Sequence, residues 1–298
     1  MFIDVVDVEG DSGLAEWLAV RNELEPDEPL LLQQLFARRA AEPDRHDFLA
    51  IASGGIVGVG SVGPKGSPAD LAYGYLGVRE GWKQRGVESA LLVELRRMSR
   101  ELGRSRLELW ACEDDHSLVA FLVNQGFCEF MREGGLALDI ANAQGLGEAR
   151  LPEGVSVLSI GSRREFGDGA YELAALTWPD IPGETGIEDR EPWLSLHVSG
   201  APEGALVAVD EGKVVGFAGL HLLAEEGLYE HGLLAVHPDH RRRGIARAMK
   251  MAQLCWLNHI QARRVVTWNA ETNDAARTLN LSLGYKRLAS SIAYYGPA

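Results

Sequence analysis

The chain is written twice. Gly58, Gly86, Trp110 and Gly126 recur as Gly216, Gly244, Trp268 and Gly284, each pair 158 residues apart. FLAIASGGIVGVG from Phe48 lies without a gap over LVAVDEGKVVGFA from Leu206. LELWACEDDHSLVAFLVNQGF lies likewise over VVTWNAETNDAARTLNLSLGY. One offset held from about residue 46 to 127 requires two copies of a single folding unit. At about 150 residues per domain, 298 residues also suggest two. The boundary is expected in IANAQGLGEARLPE, which is small, polar and Gly-containing. That gives a first domain over 1–141, a linker over 142–153 and a second domain over 154–298.

The second copy shows the order of elements best. GVSVLSI is β-rich, and a helical region broken by WPDIPGETG follows. ALVAVD and KVVGFAGLHLL flank Glu211-Gly212, a hairpin signal, and LYEHGLLAV is a third strand. Ile245, Ala248, Met249, Ala252, Cys255 and Trp256 recur at spacings of three and four, one face of a helix. RRVVTW reads as a strand. TNDAARTLNLSLG reads as a helix, with Thr272 or Asn273 near its cap and Gly284 past its end. LASSIAYY is expected to close the unit. Mixed βα order around a hairpin set gives an α/β or α+β sheet covered by helices.

Charge narrows the partners. Lys plus Arg number 29 and Asp plus Glu 43, a net charge of −14. Such a body repels nucleic acid and anionic membranes. Cys112, Cys128 and Cys255 show no C-x-x-C spacing, which argues against a disulfide framework or a metal cluster. Cys112 is expected to be an ordinary buried thiol. MFIDVVDVEGD has no basic start leading into an apolar run, and no stretch nears 18 apolar residues. The expectation is a soluble cytoplasmic protein.

Against that acidity, HPDHRRRGIA at 237–246 stands out. A strand ends at Val236, Pro238 prevents its continuation, and a turn then opens a helix. The first N–H groups of a helix lack internal partners and carry positive partial charge, so such an end holds phosphate well. Gly244 and Ala246 keep side chains clear of the backbone. Arg241, Arg242 and Arg243 add charge-assisted donors, each worth about 1.5–3 kcal/mol. Alone, this stretch is equally a basic helix start on a solvated surface.

Its context weighs against that plain reading. Val236, Pro238, Arg241, Gly244 and Ala246 are followed by a strand ending in Trp268, then Asn269 and Asn273, then a helix ending in Gly284 and Tyr285. This series resembles the GNAT superfamily of acetyl-CoA-dependent N-acetyltransferases, and the resemblance covers both copies. It implies two tandem GNAT folds, each a central, mostly antiparallel sheet flanked by helices. It implies acetyl-CoA as cosubstrate, its pyrophosphate on Arg241, Arg242, Arg243, Gly244, Ile245 and Ala246, with Asn269 and Asn273 beside it. It also implies a pantetheine arm paired with the backbone of Leu234, Ala235 and Val236. The activity implied is transfer of an acetyl group to a primary amine of a small molecule or peptide. The alternatives are a non-catalytic acyl-CoA-binding module and aminoacyl transfer to a cell-wall precursor.

The first copy departs from the pattern. Lys83 stands for Arg241, Glu88 for Ala246, Glu80 for Pro238 and Asp115 for Asn273. A carboxylate at Glu88 would repel the pyrophosphate by roughly 4 kcal/mol at about 4 Å. The first copy is therefore expected to be silent and the second active.

Attack on a thioester needs a neutral amine, and alkylamines have a pKa near 10.4. Glu230, in an otherwise apolar strand, is the base candidate; its counterpart is Ala72. A backbone N–H near Leu234 is expected to face the developing oxyanion. Where the family often keeps a tyrosine as acid, this chain has Asn280, which can hydrogen-bond sulfur but cannot give a proton. Tyr294 and Tyr295 are the substitutes suggested by the family fold. His221 and His231, and the acidic residues Asp180, Glu184, Glu188 and Asp189, are weaker candidates for the acceptor side. Ordinary core or edge histidines, and a solvated acidic loop, are the plainer readings of these positions.

Overall fold

The structure, a computed structural model, describes residues 2–65, 68–143, 150–181, 186, 187, 189–223 and 227–298. In chain order its elements begin with β1 (Asp4–Asp7), α1 (Gly10–Leu24), α2 (Leu32–Ala41), β2 (His46–Ala52), β3 (Gly55–Pro64) and β4 (Leu71–Val78). Then come α3 (Val87–Glu101), β5 (Arg106–Cys112), α4 (His116–Asn124) and the long β6 (Cys128–Asp139). The second series is β7 (Val155–Ser159), α5 (Gly167–Thr177), α6 (Arg190–His197), β8 (Leu206–Asp210), β9 (Lys213–Leu222) and β10 (Leu228–Val236). It ends with α7 (Ile245–His259), β11 (Arg264–Ala270), α8 (Asp274–Ser282), β12 (Lys286–Arg287) and β13 (Ser291–Pro297).

These elements make two compact units. One is Met1–Glu133 with Ala289–Ala298, and the other is Gly134–Leu288. The bounds differ from the break expected at 142–153, of which residues 144–149 lie outside the described residues. β6 is shared between the units by its two halves. The expectation that LASSIAYY closes the second unit is corrected. β13 pairs antiparallel with β5, Ser291 opposite Cys112, and with the Cys128–Glu133 half of β6. Its alternation puts Ile292 and Tyr294 into the first unit's core. Period-2 patterning shows that a strand is half-buried, but not which sheet it joins.

In each unit a run of antiparallel strands ends in one parallel pair. For the first this is β4 with β5, and for the second β10 with β11. The helix after the fourth strand packs beneath. Leu91, Leu92 and Leu95 of α3 meet Val57, Val62, Leu107 and Leu109. Leu254 and Leu257 of α7 meet Leu220 and Val265. The repeated glycine at 58 and 216 follows from this close contact. A Cβ on Gly58 would lie 2.8 Å from the Gly77 carbonyl oxygen, and one on Gly216 would lie 2.8 Å from Met249 Sδ.

Cys112, expected buried, is exposed as the last residue of β5. No described helix is long and apolar enough to cross a membrane. Among the described residues no group of three His, Cys, Asp or Glu could hold a metal ion.

Candidate active site

The turn before α7 has the geometry of an anion cradle. After the single 3-10 turn Pro238–His240, Arg242 takes φ +63 and Gly244 takes φ +87 as the cap of α7. Ala248 is the first residue whose N–H reaches back to Gly244, at 3.0 Å. The N–H groups ahead of it have no helix carbonyl to use, and left-handed residues in such a turn converge them on one point. Ala246 is half-buried and has no polar side-chain atom to fill that point.

The arginines are partly engaged. Arg241 donates Nε to the Val236 carbonyl at 3.0 Å and Nη2 to Asp180 at 2.5 Å. Asp180, considered above for the acceptor, is thus a partner of the turn. Arg243 lies 4.0 Å from Asp210. Arg247, which the sequence reading missed, donates to Ser282 Oγ at 2.8 Å and bridges α7 to α8. The available signal was a fourth arginine one residue past Ala246.

The first copy repeats the backbone and fills the cradle itself. Gln84 has φ +59 and Gly86 φ +90, as at Arg242 and Gly244. The Gln84 N–H donates to Glu88 Oε1 at 2.8 Å, and Glu88 is only 6% exposed. Lys83 is held by Glu80 at 2.6 Å and by Asp115 at 3.1 Å. Both of these groups belong to the chain.

The strands also differ. β10 pairs with β11 only from Leu228–Glu230 against Arg264–Val266, while β11 continues to Ala270. The two strands part just after Glu230. On its other edge β10 shifts register against β9 between His231 and Leu234, so Gly232 and Leu233 stand against Gly219. That is a β-bulge of one extra residue. In the first copy the β3–β4 ladder runs from Gly58–Val78 to Pro64–Ala72 without a shift. Leu234, Ala235 and Val236 follow the bulge, beside the parted edge.

Glu230 stands opposite His221, so the two share a face. A Cβ at Gly232 would run into the His221 ring, so a side chain there would have to displace that imidazole. The His221 ring lies 5.6 Å from that of His197, and His197 packs against Trp193 and Trp178. Burial, and then the neighbouring His221, pulls His197 down to about 4, so it stays neutral at physiological pH. Both its ring nitrogens, and the indole nitrogens of Trp178 and Trp193, are buried with no hydrogen-bond partner among the described residues. The sequence reading missed His197 and both tryptophans. They lie before β8, far in sequence from Glu230. Asp189 immediately precedes α6 and makes no side-chain cap bond there; Glu184 and Glu188 lie outside the described residues.

On the opposite face His231 Nε2 lies 2.5 Å from the Tyr285 hydroxyl. Lys250 is 3% exposed, with Nζ 5.7 Å from the Tyr285 ring centroid. Burial pulls its ammonium from 10.5 down to about 7. A folded pKa below the unfolded one means the folded state binds fewer protons between about 7 and 10.5. Stability therefore rises with pH across that window and is lowest below it. Replacing Lys250 with Met should stabilise the fold by about 2–3 kcal/mol at neutral pH and flatten that rise. Denaturant unfolding at neutral and alkaline pH checks this; a slope that survives the substitution would count against it.

The remaining sequence-chosen residues are placed as follows. Asn273 caps α8, its Oδ1 accepting from the Ala276 N–H at 3.1 Å, as Asp115 caps α4 from Leu118. Asn269 Nδ2 lies 3.4 Å from Thr267 Oγ1. Asn280 is 1% exposed, and its Oδ1 has no hydrogen-bond partner among the described residues. Tyr294 and Tyr295 lie on β13, in the first unit, so neither belongs to the unit that carries Glu230.

Comparison with known proteins places this geometry. The acetyltransferase (GNAT) family model matches residues 13–127 and again 168–285. The mycothiol acetyltransferase of Thermobispora bispora is 27% identical over 279 residues, covering 89% of each chain. That of Thermomonospora curvata is 27% identical over 281 residues, covering 90% of this chain and 88% of its own. A solved tandem GNAT protein from the clavulanic acid biosynthesis pathway superposes with a TM-score of 0.80 at 21% identity, covering 99% of this chain and 98% of its own. A GCN5-related N-acetyltransferase from Sphaerobacter thermophilus gives 0.78 at 17%, covering 99% and 95%. With both halves matched by one family model, the chain belongs to the GNAT family of acetyltransferases, as a tandem pair of its folds.

Proposed function

We propose that the second unit binds acetyl-CoA at the Arg241–Ala246 turn and moves its acetyl group to a primary amine of a small molecule, or of a peptide. The observation that carries this reading is the contrast between the two turns. Their backbones match, but one is filled by Glu88 and the other ends in Ala246. The first unit then serves as a scaffold.

Acetyl-CoA supplies the activated acetyl group. Gly244, Ile245, Ala246 and Arg247 offer main-chain N–H groups to its diphosphate, with Arg242 and Arg243 adjacent and Arg241 set by Asp180. Leu234, Ala235 and Val236 lie along the parted edge of β10, where an extended amide chain can pair. Asn269 and Asn273 lie across the split, at the end of β11 and the start of α8. Glu230 takes the proton of the ammonium, and a main-chain N–H near Leu234 faces the acyl oxygen. Asn280 offers an amide, but no proton, to the departing sulfur. Asn280→Leu, which installs the Leu122 of the first copy, should therefore cost less than about tenfold in turnover; a loss of a thousandfold would show that the amide does more.

The acceptor rests against His221, His197, Trp178 and Trp193. The likeness to mycothiol acetyltransferases makes a small-molecule amine the first to try. Thiol release from acetyl-CoA, measured with a panel of small-molecule and peptide amines, tests the reading. Calorimetry should find one acetyl-CoA site per chain. Two sites, or none, would overturn it.

A further inference from the structure

We infer that His231 and Tyr285 are positioning residues, whose hydrogen bond holds the β10 bulge open beside Glu230. This rests on the proposed role of the second unit. A bulge leaves one residue outside the ladder, so its conformation needs something besides strand pairing to hold it. Here the register shift begins at His231 itself. The His231 ring is buried, and its Nε2 meets the Tyr285 hydroxyl at 2.5 Å. Tyr285 follows Gly284, which has φ +95, and its N–H reaches the Asn280 carbonyl at 3.3 Å. The bond therefore ties β10, at the residue where it parts from β11, to the C-terminal end of α8.

The first copy shows what happens without it. His231 corresponds to Tyr73 and Tyr285 to Phe127, which has no hydroxyl. Tyr73 bonds to Glu42 instead. There the ladder continues unbulged through Tyr73–Gly63. The polar set extends deeper: Lys250 and Gln253 stand where the first copy has Leu92 and Leu95, both in its apolar core. Gln253 Nε2 donates to the carbonyls of Gly204, Ala218 and Gly219, the last being the residue opposite the bulge. Polar groups thus replace core leucines and a phenylalanine beneath the strand that carries Glu230.

Tyr285→Phe removes one oxygen and installs the residue that already fills this place in the first copy, so folding should survive. His231→Gln keeps an amide that can bond the hydroxyl. Hydrogen–deuterium exchange of segment 228–236 is the readout that needs no known acceptor. In Tyr285→Phe that segment should exchange about tenfold faster, with the rest of the second unit unchanged and the melting temperature held. Turnover with the best amine of the panel should fall about tenfold, while acetyl-CoA affinity stays within about threefold. His231→Gln should keep the slow exchange. Unchanged exchange in Tyr285→Phe, or acceleration spread evenly over the unit, would overturn the inference. If Glu230→Gln left turnover intact while Tyr285→Phe loosened the segment, the clamp would stand and the assignment of the base would fall.

Discussion

Ala246→Glu should abolish acetyl-CoA binding by the second unit while leaving its fold intact. The chain already contains the product of this substitution. At the matching turn Glu88 bends back to accept from the Gln84 N–H at 2.8 Å. A glutamate at 246 would reach the Arg242 N–H in the same way, since Arg242 and Gln84 share the left-handed conformation. It would close the turn on its own carboxylate and set a negative charge against the pyrophosphate. Two unit charges about 4 Å apart repel by roughly 4 kcal/mol at an effective dielectric near 20, about a thousandfold in affinity. The helix should not suffer, because a carboxylate in its first turn is favourable. Calorimetry with acetyl-CoA, alongside thermal melting of the free protein, measures both effects. A loss of less than about tenfold would mean that the diphosphate sits elsewhere.

Glu230→Gln should lower turnover by about 10²–10⁴ with acetyl-CoA affinity unchanged, the signature of a lost general base. The substitution keeps shape and hydrogen bonding but cannot accept the ammonium proton. What activity remains should depend on amine that is already neutral. It should climb roughly tenfold per pH unit towards the amine pKa near 10.4. The neutral imidazole of His221, opposite Glu230 on β9, is the group that could mask the effect. A variant that keeps near-wild-type turnover with a flat pH profile would move the base to that side chain.

The turn and the splayed strand were legible because they are local. Arginines before Gly244, Ala246 in the first helical turn and Glu230 in an apolar strand stand in one local stretch, and the resemblance to the GNAT superfamily gave them their roles. The repeat added more, since each residue could be compared with its counterpart 158 positions away. Glu88 was expected to sit where the pyrophosphate would go and repel it. In the structure its carboxylate also accepts from the Gln84 N–H, a contact that depends on side-chain rotamer as well as residue type. Tyr294 and Tyr295 were considered as acids only because the family fold suggested their proximity, yet β13 pairs in the first unit's sheet. His197, Trp178 and Trp193 carried no local signal at all.

Order along the chain, encoded in apolar periodicity, turn residues and the internal duplication, determined the two folds, their helices and strands, and the place of the turn. Tertiary packing alone decided which sheet receives the last strand, where β10 bulges, and that Lys250, His231 and Tyr285 share a buried polar patch. Those outcomes depend on pairing and burial between segments far apart in sequence. A strand's pattern can state which of its faces is buried, but the partner that buries it is selected only when the whole sheet forms.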